Sequence, residues 1–210
     1  EIGFWGVCGH EAKSQSGFIK HILLSLQKNA EINPVEAYVF DDVKRTYSEL
    51  KDLDIVCNYT LNITDVISVI SDWCDKLEAR YQRMLEGSES TVSEPLLLMI
   101  IQNNDVARVI SEDFDVMNKY TNITSRYKGM GAAIIFANFE NISISYDAPE
   151  PLRLVKQDQH ILFFGDLDTL KPFDPPYEAI RENKKKLTAG DAYYIRGNDV
   201  IKLKMVEATE

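Results

Sequence analysis

Gly9-His10-Glu11-Ala12-Lys13-Ser14-Gln15-Ser16 is the stretch on which the fold turns. It follows an apolar run (Ile2, Phe4, Trp5, Val7, Cys8) and precedes Phe18, Ile19, Ile22, Leu23 and Leu26, whose three- and four-residue spacing marks one face of a helix. Strand, glycine-opened loop and helix are the context of a phosphate-binding P-loop, whose pattern is Gly, four residues, then Gly-Lys-Ser/Thr. Gly9 opens that pattern and Ser16 closes it, but Ser14 stands at the second glycine and Gln15 at the lysine. The frame is that of a nucleotide site whose chemistry has been altered.

Lys13-Ser14 offers a second register for the Lys-Ser pair, and helix phase separates the two. A helix that starts at Gln15-Ser16 places Phe18 and Ile19 where the first buried residues belong. A start at Lys13-Ser14 puts Ser16, Gly17, Lys20 and His21 there, a polar face. The first register is preferred, giving Gly9, Lys13, Ser14, Gln15 and Ser16 as the candidate phosphate contacts, with Lys13 a substitute ligand that swings in from the loop. The only cofactor such a loop suggests is ATP, and magnesium is left unassigned.

The chain has 210 residues with 45% hydrophobic content, enough for one domain with a substantial core. No apolar stretch approaches a membrane span, and the N-terminus has no signal-peptide pattern. The sequence opens directly on a strand-like run, so it is expected to be a single module, residues 1–210, of a longer protein. The net charge of −10 argues against a nucleic-acid surface, which needs clustered Lys and Arg. The basic run Lys184-Lys185-Lys186 reads as a solvated turn.

Cys8, Cys57 and Cys74 lack metal-ligand spacing and sit in apolar segments, so they are expected to be buried free thiols in a reducing compartment. His10, His21 and His160 are likewise not spaced as ligands, and no metal site is expected. The four Asn-x-Ser/Thr sites (Asn58, Asn62, Asn122, Asn141) read as chance in an Asn-rich chain.

Strand-like and helix-like segments alternate, which predicts an α/β fold with a mainly parallel sheet. Expected strands are 2–8, 35–40, 54–59, 96–101, 132–136, 161–164, 192–195 and 200–205, the last two joined by a tight hairpin turn at Arg196-Gly197-Asn198-Asp199. Expected helices are 15–29, 63–86 and 106–118. In the long one, Thr64 is the expected cap, Val66, Ile67, Ile70, Trp73, Leu77, Tyr81 and Leu85 the inward stripe, and Asp75, Lys76, Glu78, Arg80, Arg83 and Glu86 a solvated face. Tyr120, Tyr127, Phe139 and Tyr146 are candidate partner contacts.

A working P-loop site also needs a buried strand ending in Asp, often followed by Glu, to hold magnesium and polarise the attacking water. The apolar run 96–101 has that character but ends in Gln102-Asn103, with the nearest carboxylate at Asp105. Neutral amides are poor partners for magnesium and cannot act as a base. Losing the lysine's charge-assisted bond alone costs roughly 1.5–3 kcal/mol, or about one to two decades of affinity. No catalytic residue is therefore assigned.

At these residues the chain resembles the FtsK/SpoIIIE family of motor ATPases. Pro95, the apolar run and Gln102-Asn103 are similar to that family's Pro-apolar-Asp-Glu strand. Leu77-Glu78-Ala79-Arg80-Tyr81 is similar to its Glu-x-x-Arg-Arg-Tyr helix. The stretch from Lys128 through Gly129-Met130-Gly131 and the strand 132–136 to Asn138 looks like its sensor strand, with Asn138-Phe139 replacing Thr-Gln. The order of motifs most resembles the C-terminal modules of EssC/YukB-type proteins, the coupling ATPases of type VIIb secretion.

That resemblance implies a P-loop NTPase fold in the cytoplasmic part of a membrane-anchored protein. It also implies adjacent ATPase modules in the same chain, secreted WXG100-type proteins as partners, and hexamers of the full-length protein. The alternatives are a working ATPase served by Lys13 and Asp105, and a DNA translocase domain, which the chain's acidity disfavours.

Overall fold

The computed structural model describes residues 3–9, 12–87, 94–127, 129–137, 148–158, 160–170, 175–183, 187–188 and 190–204, the side chains of 12 and 13 excepted. Its strands are β1 (Phe4–Gly9), β2 (Val35–Phe40), β3 (Val56–Thr60), β4 (Leu96–Ile101), β5 (Ala132–Phe136), β6 (His160–Phe164), β7 (Asp191–Arg196) and β8 (Asp199–Lys204). They form one eight-stranded sheet in the order β3-β2-β4-β5-β1-β6-β7-β8. Pairing is parallel from β3 to β6, and β7 and β8 add antiparallel.

The central strands are unbroken apolar runs because both of their faces are covered. Leu97 to Ile101 of β4 are all almost fully buried. On one face, Ile19 and Leu23 of α1 (Ala12–Asn29) pack on Val7, Val39, Ile100 and Leu162. The other face is covered by α2 (Val66–Leu85), α3 (Asp105–Glu112), α4 (Phe114–Thr121) and α5 (Glu150–Asp158), with Ile180 of the short α6 (Tyr177–Glu182) at its margin.

The expected α/β class, the mainly parallel sheet and the closing hairpin are all present. Gly197, with φ of +59°, is the first central residue of the two-residue turn that sets Arg196 opposite Asp199, the place where a type II′ turn requires glycine.

Several expectations need correcting. Helix α1 starts at Ala12 and not near Gln15. The segment 106–118 is two helices, because Asp113 is extended and its carboxylate caps α4 by accepting from the Val116 amide at 2.9 Å. The long helix is entered through a 3-10 turn, Ile63–Asp65, capped by Asn62 and not by Thr64. Leu85 is exposed where an inward residue was expected.

The face of α2 taken as solvated is partly engaged. Arg80 is buried and paired with Glu94, Lys76 reaches Glu36 and Tyr38, and Glu78 accepts from Arg126 and Tyr127. Cys8 and Cys74 are buried free thiols whose pKa burial pushes up to about 12, but Cys57 is exposed on the edge strand β3. Tyr120 and Tyr127 are core residues and offer no partner contact. Phe139, Tyr146, Asn141, His10 and Lys184 to Lys186 lie outside the described residues.

Candidate site at the carboxyl edge of the sheet

Open α/β sheets bind ligands beyond the carboxyl ends of their strands. Here that edge gathers Gly9 from β1, Asp41 just past β2, and Gln102 and Asn103 just past β4. Strand β5 lies between β1 and β4, so the two candidate motifs stand two strand spacings apart, roughly 10 Å.

The Gly9 end is tightly packed. Gly9 has φ of +140°, and a Cβ there would lie 2.1 Å from the backbone oxygen of Phe164 on β6. The described residues of α1 begin at Ala12. Gln15 lies on the buried stripe of α1, one turn before Ile19, and is 3% exposed. Its Nε2 donates to the Gly9 carbonyl at 2.9 Å, while its Oε1 is buried with no hydrogen-bond partner among the described residues. Gln15 therefore ties the loop to the helix.

Helix phase and helix start point to different registers. Phe18, Ile19, Ile22 and Leu23 face the sheet as the first register requires. The start at Ala12, however, puts Lys13 and Ser14 in the first turn, and the amide groups there favour anions. Ser14 and Ser16 are half-buried on this turn.

At the other end, Gln102 is buried and its Oε1 accepts from the Tyr47 hydroxyl at 2.9 Å. The backbone amides of Gln102 and Asn103 both donate to the Phe40 carbonyl. Asn103 Oδ1 accepts from the Asp105 amide at 3.0 Å, closing the turn that leads into α3. Asp105 itself is exposed in the first turn of that helix. The amides that follow β4 are therefore engaged in hydrogen bonds within the fold.

Sequence reasoning stopped at Asp41-Asp42 as a strand end and missed what they organise. Asp41 is 1% exposed. Its Oδ2 accepts from the Tyr47 amide and the Tyr59 hydroxyl, each at 2.8 Å, and its Oδ1 accepts from the Asp42 amide. Asp42 in turn accepts from the Lys44 amide, and Arg45 adopts φ of +55° to close the loop. Burial, reinforced by the Asp41 charge, holds both tyrosine hydroxyls well above their ordinary pKa, so they act as donors at any working pH. A charged residue directly after an apolar strand was the available signal.

Of the remaining candidates, Arg80 lies at the opposite, amino end of the sheet. Its Nε binds Glu94 at 2.7 Å and its Nη1 donates to the Met130 carbonyl at 2.9 Å, in a cleft of about 360 Å³ shared with Arg83 and Met84. Asn138 lies outside the described residues. Among the described residues no group of three or more His, Cys, Asp or Glu side chains is placed to hold a metal ion, and no helix is long and apolar enough to cross a membrane.

The sheet order, with the β1–α1 loop one strand removed from the β4 terminus, defines a P-loop ATPase type of α/β fold. Among solved structures, the cytoplasmic domain of EssC superposes with a TM-score of 0.73 at 17% identity, over 97% of this chain and 39% of that one. Thermomonospora curvata EccC (ATPases 2 and 3), in complex with a signal sequence peptide, gives 0.67 at 14% identity, over 100% of this chain and 37% of that one. The pCW3 conjugation coupling protein TcpA, in its monomer form with ATPγS, gives 0.60 at 12% identity, covering 99% and 61%. The chain thus spans well under half the length of the secretion ATPase structures it resembles. No protein-family model and no curated protein sequence matches it.

Proposed function

We propose that this chain is a degenerate FtsK/SpoIIIE-type module of a type VII secretion motor, one domain within a larger membrane-anchored protein. In this reading it recognises secreted WXG100-type substrates or regulates neighbouring ATPase modules, and does not itself hydrolyse ATP efficiently. One observation supports the reading: Gln15, Gln102 and Asn103, which we read as replacing a motor's lysine and two acids, are each hydrogen-bonded into the fold. The shared fold with EssC and EccC supports the secretion context. Calorimetric titration with Mg-ATP, followed by a phosphate-release assay, is the test. The expected result is no turnover and binding no tighter than about 10 mM.

A second reading is favoured by the start of α1. A working site would use Lys13 in the first turn and Asp105 beyond β4. It requires turnover that is lost in both Lys13→Ala and Asp105→Asn. Turnover of that kind would replace the first reading. The net charge of −10 leaves DNA translocation unsupported.

A further inference from the structure

Among the described residues, strand β8 ends the sheet with no strand beyond it. It pairs along its whole length with β7, from Asp199 opposite Arg196 to Lys204 opposite Asp191. Its inward backbone groups are therefore used, and its outward ones face away from the sheet.

The side chains of β8 alternate in character. Ile201 and Leu203 lie on the α1 side, opposite Tyr194 and Ala192, and are 51% and 37% exposed. Neither belongs to the buried clusters. They extend an apolar strip that begins at Trp5, whose ring stacks on His160 at 4.8 Å and Tyr194 at 5.7 Å. Lys202 and Lys204 occupy the other face. Lys202 binds Asp191 at 3.1 Å, and Lys204 stands opposite Asp191 in the strand register.

We propose that β8 is a strand-addition site for an extended segment of a partner protein in which aliphatic and acidic side chains alternate. The open backbone edge supplies hydrogen bonds, Ile201 and Leu203 supply lateral apolar contact, and Lys202 and Lys204 select carboxylates. A second copy of this chain is disfavoured, because pairing β8 with itself brings four lysines onto one face. The chain's net charge of −10 makes a cationic edge a discriminating feature, since its remaining surface repels the same acidic segment.

The test is a ¹⁵N NMR titration of the full chain with a capped peptide of alternating Val and Glu. Saturable shifts confined to β8 and its neighbours are expected, with slowed exchange of the outward β8 amides. Ile201→Glu with Leu203→Glu is expected to weaken binding at least about tenfold. Lys202→Gln with Lys204→Gln is expected to weaken it about fivefold or more and to remove its salt dependence. All four residues are exposed, so folding is retained and is checked by the unchanged spectrum elsewhere. A block peptide of the same composition is expected to bind at least about tenfold more weakly. No saturable shift, equal binding of the block peptide, or a self-associated chain that Ile201→Glu dissociates would each overturn the assignment.

Discussion

A methyl group on residue 9 would meet the Phe164 backbone at 2.1 Å while the chain holds φ of +140°, and neither obstacle yields to a side-chain rotation. Gly9→Ala is therefore expected to destabilise the fold by at least about 2 kcal/mol in urea unfolding, whether or not nucleotide is present. Tyr47→Phe leaves Gln102 Oε1 buried without its donor, so a loss of roughly 1–3 kcal/mol is expected in the same measurement. The sequence marked residue 9 as a glycine with a purpose. It could not show that the purpose includes making room for β6, because that contact joins segments far apart in the chain. Gln15 and Gln102 were likewise readable as substitutions. Their hydrogen bonds were not, since an amide's partner depends on which loop lies beside it.

Asp191 anchors the β7–β8 hairpin, and its carboxyl is held down to about 2, first by the Thr188 amide and hydroxyl and then by Lys202. A carboxyl lowered on folding stabilises above its unfolded value near 3.8 and loses that contribution as pH falls through the folded value near 2. Amide exchange of Tyr193 and Tyr194 is expected to accelerate over that interval relative to β4, and Asp191→Asn should flatten the dependence. At the break between α3 and α4, Asp113→Ala removes the cap on Val116 and is expected to cost about 1 kcal/mol in thermal or urea unfolding. Elements were readable where burial alone decides them: β2, β4 and β5 coincide with their apolar runs. They were misread where a polar group decides them. The spacing of Val106, Ile110 and Val116 runs through Asp113 without a gap, and only the extended backbone there separates the helices. Helices α5 and α6 were not expected at all, because they are short and interrupted by charged residues.

Among the described residues one helix covers one face of the sheet and four pack on the other, so the carboxyl edge at Gly9 depends on how α1 seats against β1. Ligand binding there would stabilise the whole molecule by RT ln(1 + [L]/Kd). For a chain of this size each kcal/mol raises the melting temperature by about 2–4 °C. A site with Kd of about 50 μM, exposed to about 5 mM Mg-ATP, would add about 2.7 kcal/mol and raise the transition by roughly 5–10 °C. With Gln15 bound to the Gly9 carbonyl and the β4 terminus closed by amides, the expected shift is under about 1 °C, and Gln15→Lys alone should not enlarge it beyond about 2 °C. The lysine would gain a cation for the loop but would leave the amides beyond β4 unchanged. A shift of several degrees in the unmodified chain, abolished by Lys13→Ala, would instead show that the first turn of α1 grips phosphate without the cradle.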